Sequence, residues 1–156
     1  MLDVTIPGHG QHQFAHLVLD LNGTLTVDGQ IEPSTADRIR QLCGSIRLHV
    51  VTADTRGTGT EIAERLGLDL YRLRSGQEAT QKRDYVTSLG VTKVVALGNG
   101  ANDVLMLKAA TLGIAVLGPE GLATACLTAA DIVVPGITAG LDLLLHPQRL
   151  TATWRC

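Results

Sequence analysis

The sequence predicts an α/β fold: a doubly wound, Rossmann-like parallel sheet flanked by helices. Three observations carry this reading. Short apolar runs, among them Leu17-Val18-Leu19, Val94-Val95-Ala96-Leu97 and Ile114-Ala115-Val116-Leu117, are unbroken by polar residues, as expected of strands buried on both faces. Stretches with helix-compatible apolar spacing alternate with them along the chain. The core must also be aliphatic, because 45% of the 156 residues are hydrophobic but only Phe14, Tyr71, Tyr85 and Trp154 are aromatic.

Taken in order, Val4-Thr5-Ile6, Gly8-His9-Gly10 and the run 13–19 predict a hairpin within residues 1–16 that leads into the first core strand. Val27-Asp28-Gly29-Gln30-Ile31 predicts a small hairpin flap over 27–32. A helix at 34–42 precedes the strand Leu48-His49-Val50-Val51. Helices at 58–66 and 78–89, both stopped by glycine (Gly67, Gly90), bracket an extra strand at 69–73. After 94–97 come a helix at 101–109, the strand 114–117, a helix at 122–130, the strand Ile132-Val133-Val134, a last helix at 137–145 and a tail over 146–156. There is no internal repeat or linker, so a single domain over 1–156 is expected.

Composition narrows the function. Charged residues make up 18% and the formal net charge is −2, with no basic block to meet a phosphate backbone or an anionic membrane. Cys43, Cys126 and Cys156 are odd in number and form no CxxC pair, which argues against a disulfide framework or a zinc site. Cys43 and Cys126 read as buried apolar thiols. The start of the chain lacks the basic and apolar regions of a signal peptide, and no apolar run approaches the ~18 residues of a membrane span. A soluble, cytoplasmic protein is the expectation. His9, His12 and His16 read as solvent-exposed hairpin residues.

Four features fall where the sheet would present them at the carboxyl ends of its strands, the edge where such sheets bind ligands. Asp20 follows the first core strand and opens Asp20-Leu21-Asn22-Gly23-Thr24-Leu25-Thr26. Thr52 follows Val50-Val51, with Ala53 and Asp54 beyond it. Lys82 lies near the start of the helix after Leu73. Gly98-Asn99-Gly100-Ala101-Asn102-Asp103 follows the strand 94–97. Gly98-x-Gly100 is not a dinucleotide loop, since Asp103 stands where that fingerprint requires glycine and would repel a pyrophosphate.

Together these segments resemble the four motifs of the haloacid dehalogenase-like (HAD) superfamily of phosphohydrolases and phosphotransferases, over nearly the whole chain from Leu17 to Leu145. Within it the chain is most similar to the phosphorylation domain of P-type ATPases, whose Thr-Gly-Asp is echoed by Thr52-Ala53-Asp54. The resemblance implies a carboxylate nucleophile, Asp20, that forms an aspartyl-phosphate. It implies phosphate contacts from Gly23, Thr24, Thr52, Ala53, Asp54, Lys82 and Asn102. It further implies Mg²⁺ held by Asp20, the main-chain carbonyl of Asn22, and Asn99, with Asp103 as a direct or water-mediated ligand or as a partner of Lys82.

Two residues depart from the pattern. Asn22 replaces the aspartate that protonates the leaving group and then activates water, and an amide cannot exchange that proton. Slow turnover and a persistent phosphoenzyme are the expected result. Asn99 replaces a metal-binding aspartate, which weakens the expected Mg²⁺ affinity. The intervals 27–33 and 53–81 are too short for a cap domain, so the site must be shielded by a second copy of the chain or act on something large; a homo-oligomer is expected. The alternatives are a phosphatase like the capless 3-deoxy-octulosonate 8-phosphate phosphatases, or a non-catalytic domain that binds phosphate or Mg²⁺. In either enzymatic reading the partner is a phosphorylated small molecule or another phosphodonor.

Overall fold

The computed structural model describes residues 1–53 and 57–156. Among these, an antiparallel hairpin of β1 (Leu2–Ile6) and β2 (Gly10–Phe14) precedes a six-stranded sheet. The sheet consists of β3 (His16–Asp20), β4 (Arg47–Thr52), β5 (Asp69–Arg72), β6 (Val94–Gly98), β7 (Leu112–Val116) and β8 (Ile132–Val134), in the spatial order β5-β4-β3-β6-β7-β8. Every pairing in it is parallel. The α/β class and the strand sequence expected from the apolar runs are both present.

The helices are α1 (Pro33–Leu42), α2 (Thr58–Leu66), α3 (Glu78–Ser88), α4 (Val104–Ala109), α5 (Thr124–Ala129), α6 (Ile137–Leu145) and α7 (Pro147–Trp154). α1, α2, α6 and α7 turn a largely apolar stripe inward; in α1 this is Thr35, Ala36, Ile39 and Leu42. One face of the sheet, built on Leu17, Leu19, Val50, Val95, Leu97 and Ile114, is covered by α1, α2, α6 and α7 together with the hairpin. The other carries smaller side chains, including Val18, Val51, Ala96 and Ala115, under α3, α4 and α5. Those small residues let α3 and α4 lie close to the sheet. No helix among the described residues is long and apolar enough to cross a membrane.

Tertiary partners move several boundaries. The run 13–19 is not one strand, because Ala15 steps out of the hairpin and exchanges hydrogen bonds with Lys93 and Arg47. The helix expected over 101–109 starts as a 3₁₀ turn, Ala101–Asp103, and residues 147–154 of the expected tail are helical, with Leu150 and Trp154 packed into the core. Cys43, expected to be buried, is exposed at the end of α1. The hairpin histidines are not simply solvated. His9 stacks on Trp154 at 4.8 Å, His12 is half-buried beside Phe14 and Trp154, and His16 hydrogen-bonds His49 at 3.0 Å.

Candidate active site

Asp20 ends β3 and lies in register with Val51, so that Thr52 is the next residue along on β4. On the other side Leu19 is in register with Leu97, and Gly98 ends β6. Three adjacent strands thus deliver Asp20, Thr52 and the Gly98–Asp103 loop to one edge. Lys82 reaches the same edge from α3. Only Lys82 and Val86 of that helix are buried, one turn apart on the stripe that faces the sheet.

The Lys82 ammonium sits between two carboxylates, its Nζ 2.6 Å from Asp20 Oδ1 and 2.6 Å from Asp103 Oδ1. Lys82 is 1% exposed, Asp103 0% and Asp20 8%, so Asp20 is the member of the trio that meets solvent. Burial and the neighbouring Asp103 charge push the Asp20 carboxyl up to about 7, against the pull of Lys82 and Thr24. Burial alone would lower the Lys82 pKa; the two carboxylates overcome it and raise the value. Two acids share one base, and the cluster is short of positive charge.

The surrounding loops are tied together by short polar bonds. Gly23 has φ +77°, and a Cβ on it would lie 2.6 Å from Asn99 Nδ2, so this turn requires glycine. Thr24 Oγ1 donates to Asn99 Oδ1 at 3.0 Å, and Asn99 Nδ2 donates to the Gly121 carbonyl at 3.1 Å. Asp103 Oδ2 accepts the main-chain N–H groups of Asn99 at 3.0 Å and Gly100 at 2.9 Å. Asp103 therefore fixes its own loop with one oxygen and Lys82 with the other. Asn22 is exposed at the mouth, and Asn102 turns toward Glu78, with 3.5 Å between Nδ2 and Oε2. Thr52 is buried and Ala53 exposed beside it. Asp54 lies outside the described residues.

Two contributors were not among the site residues expected from the sequence, although Cys126 is buried as expected. The buried Cys126 thiol donates to the Gly100 carbonyl at 3.1 Å, and burial, then the Asp103 and Asp20 charges, push its pKa up to about 11. It is an inert prop under the loop, not a nucleophile. Glu120 accepts the Asp28 main-chain N–H at 2.9 Å and so holds the tip of the flap, where Asp28 and Gly29 both have positive φ and Val27 pairs with Gln30. Both residues come from segments far along the chain and carry no local motif.

The donor chemistry suits a hard divalent cation. Carboxylate, main-chain carbonyl and amide oxygens from Asp20, Asn22 and Asn99 are of the type Mg²⁺ prefers, and the excess of carboxylate over ammonium favours added positive charge. Among the described residues no group of three or more His, Cys, Asp or Glu could hold a metal, so any such site leans on the neutral oxygens.

No protein-family model matches the chain. It is 52% identical over 63 residues to the uncharacterized protein MJ0073 of Methanocaldococcus jannaschii, an alignment that covers 40% of this chain and 68% of that protein. The chain belongs to one family with that archaeal protein. It is 28% identical over 167 residues to a copper-exporting P-type ATPase of Staphylococcus aureus, covering 97% of this chain but only 20% of the transporter. Among solved structures, 3-deoxy-D-manno-octulosonate 8-phosphate phosphatase of Moraxella catarrhalis superposes with a TM-score of 0.72 at 17% identity, over 89% of this chain and 90% of that one. A Streptomyces avermitilis protein described as a HAD family hydrolase superposes with a TM-score of 0.71 at 16% identity, over 87% of each chain. The fold is HAD-like. Asp20, Thr52 and the Gly98–Asp103 loop lie along one edge of this HAD-like sheet, with Lys82 reaching over from its helix.

Proposed function

We propose that the chain is a Mg²⁺-dependent phosphohydrolase or phosphotransferase that works through an aspartyl-phosphate on Asp20. The observation that carries this reading is the buried Asp20–Lys82–Asp103 cluster, with both lysine contacts at 2.6 Å and only Asp20 open to solvent. Burying three charges in a row is costly unless each is paired, and such arrangements are typical of functional sites. Asp20 attacks phosphorus; the phosphoryl–leaving-group bond breaks as the Asp20–phosphorus bond forms. Lys82 offers its charge to the phosphoryl oxygens, aided by the Thr24 and Thr52 hydroxyls, and Asp103 keeps Lys82 aimed. Mg²⁺ held by Asp20, Asn22 and Asn99 would neutralise charge on the transferring group.

Asn22 sets the expected kinetics. It cannot protonate an alkoxide leaving group or activate water, so donors whose leaving group needs no proton, such as acyl phosphates, should phosphorylate Asp20 readily, while hydrolysis lags. The test is incubation with acetyl phosphate and Mg²⁺. We expect acid-stable, alkali-labile label on Asp20 that is abolished in Asp20→Asn. Absence of label, together with no Mg²⁺-dependent hydrolysis of p-nitrophenyl phosphate, favours a non-catalytic phosphate-binding domain instead.

A sugar-phosphate phosphatase is the second reading, supported by the likeness to the Moraxella enzyme, solved with a magnesium ion, a phosphate ion and a KDO molecule. Because the chain covers a fifth of the copper-exporting ATPase, that protein's transport activity is not part of the proposal. The intervals 27–33 and 53–81, too short for a cap, favour a homo-oligomer in which a second copy shields the site, and the likeness to the Moraxella enzyme favours a phosphorylated small molecule as substrate.

A further inference from the structure

The carboxyl edge of the sheet carries a second concentration of positive charge beside the phosphoryl site. Arg72 of β5 lies in register with Thr52, and the next residue, Leu73, donates its main-chain N–H to the Thr52 carbonyl at 2.9 Å. Arg72 and Arg74 therefore flank a residue bonded directly to Thr52. With Tyr71, Ser75, Gln77 and Gln81 they line an open cleft of about 720 Å³, and among the described residues no Asp or Glu lines it. Glu78, the first residue of α3, turns to Asn102 instead.

This cleft is held in a fixed shape. The Gln81 side chain accepts from Arg74 N–H at 2.9 Å and donates to the carbonyls of Arg74 at 2.9 Å and Gly76 at 2.7 Å. Tyr71 is stacked on Tyr85 at 4.1 Å. Arg72 donates to the Thr60 hydroxyl, whereas the Arg74 guanidinium has no hydrogen bond or ion pair among the described residues. Guanidinium forks match the two oxygens of a carboxylate or phosphate, which makes an arginine pair with no ion-pair partner among the described residues, on a stitched loop, suited to an oxyanion. From β3 to β5 is two strand spacings, roughly 10 Å, a span that a phosphorylated chain of about six carbons can bridge.

We propose that this cleft is the subsite for a second anionic group, a carboxylate or second phosphate, carried by the same substrate whose phosphoryl group meets Asp20. The inference rests on the phosphoryl-transfer reading and narrows it to phosphate esters with two separated anionic ends.

The test compares 6-phosphogluconate with sorbitol 6-phosphate, which differ at the far end by a carboxylate against a hydroxymethyl group. Calorimetric titration with Mg²⁺ is run on the full chain, on Arg74→Ala, on Arg72→Ala/Arg74→Ala and on Arg74→Lys, with inorganic phosphate as a third ligand. We expect the unaltered chain to bind 6-phosphogluconate about tenfold more tightly. The double variant should bind the two esters equally and inorganic phosphate as before. Arg74→Lys should keep part of the preference. Thermal melts show whether loss of the Arg72–Thr60 bond disturbs the fold; Arg74→Ala, which removes no side-chain bond among the described residues, carries the comparison if it does. Equal affinity for the two esters in the unaltered chain, or a preference that survives both substitutions, overturns the subsite alone. Failure of both esters and inorganic phosphate to bind overturns the phosphoryl reading and the subsite with it.

Discussion

Removing Asp103 takes from the buried Lys82 ammonium one of its two carboxylates and from the loop the acceptor of two main-chain N–H groups. Asp103→Ala should therefore lower stability by about 3–5 kcal/mol in chemical denaturation, far more than a surface ion pair would. Asp103→Asn, which keeps an acceptor oxygen, should fall between the two. Stability unchanged in Asp103→Ala would mean the trio is not coupled as its distances imply. Asn22 lies at the exposed mouth, so Asn22→Asp should fit without strain and raise the dephosphorylation rate about 100-fold, read from decay of labelled enzyme. Equal decay would show that the missing acid is not limiting. At this scale much was legible: Asp20 stands out through the glycine turn behind it. Lys82 was found only through its likeness to the family's third motif, since α3, in which only Lys82 and Val86 are buried, carries no clear apolar stripe to mark it. Cys126 was not legible as a prop, because its partner is a main-chain carbonyl brought near only by folding.

Between elements, the close fit of the fourth-motif loop on the strand that leads to it makes a further test. A Cβ on Gly98 would lie 2.6 Å from Asp103 Cβ and Cγ, so Gly98→Ala must push Asp103 away from Lys82. We expect a loss of about 1–3 kcal/mol together with a fall in Asp20 labelling. Normal labelling would show that the loop can yield without cost to the site. The flap offers the opposite case. Glu120 is exposed, so Glu120→Ala should change stability by less than about 1 kcal/mol but increase proteolytic cutting near residues 27–30. β6 and β7 were readable from sequence because all five residues of each are buried, which forces continuous apolar runs. The break at Ala15 and the helix after Pro147 were not, since both are decided by partners distant in sequence.

Over the whole molecule, pH acts on a buried chain of rings away from the site. His49 Nε2 lies 3.0 Å from His16 and its Nδ1 2.9 Å from the Tyr85 hydroxyl, with the Asp69 carboxylate 3.5 Å away. Burial lowers the His49 pKa to about 4, with Asp69 opposing and His16 and Arg47 assisting. The folded chain thus resists a proton that the unfolded chain accepts below its ordinary value of 6.5. The His49 contribution to stability should be constant above about pH 6.5 and fall by up to about 3 kcal/mol as the pH drops toward 4, opposite in sign to the contribution of the raised Asp20 carboxyl. Denaturant midpoints at pH 7.5, 6 and 4.5, compared with His49→Gln, check this; an identical slope in the variant would assign the effect elsewhere. Light scattering should give a multiple of the protomer mass if a second copy shields the capless site, and a monomer would leave shielding to a large substrate. The fold class was readable from the order of strands, and so was the edge at which the four motif segments meet, but assembly was not, because it depends on surfaces that no periodicity marks.

The position of β3 in the middle of the sheet bears on how the chain matures. One neighbour, β4, follows after a single crossover, but the other pairs His16 with Val94 and closes a far longer loop. Until β6 inserts, the strand that ends in Asp20 has one flank unpaired, an edge on which another chain can template. Lys82 by then has emerged without Asp103. Synthesis therefore passes through a stage in which Asp20 and Lys82 exist without Asp103, and the arrival of β6 and the loop behind it both pairs the open edge and completes the buried cluster.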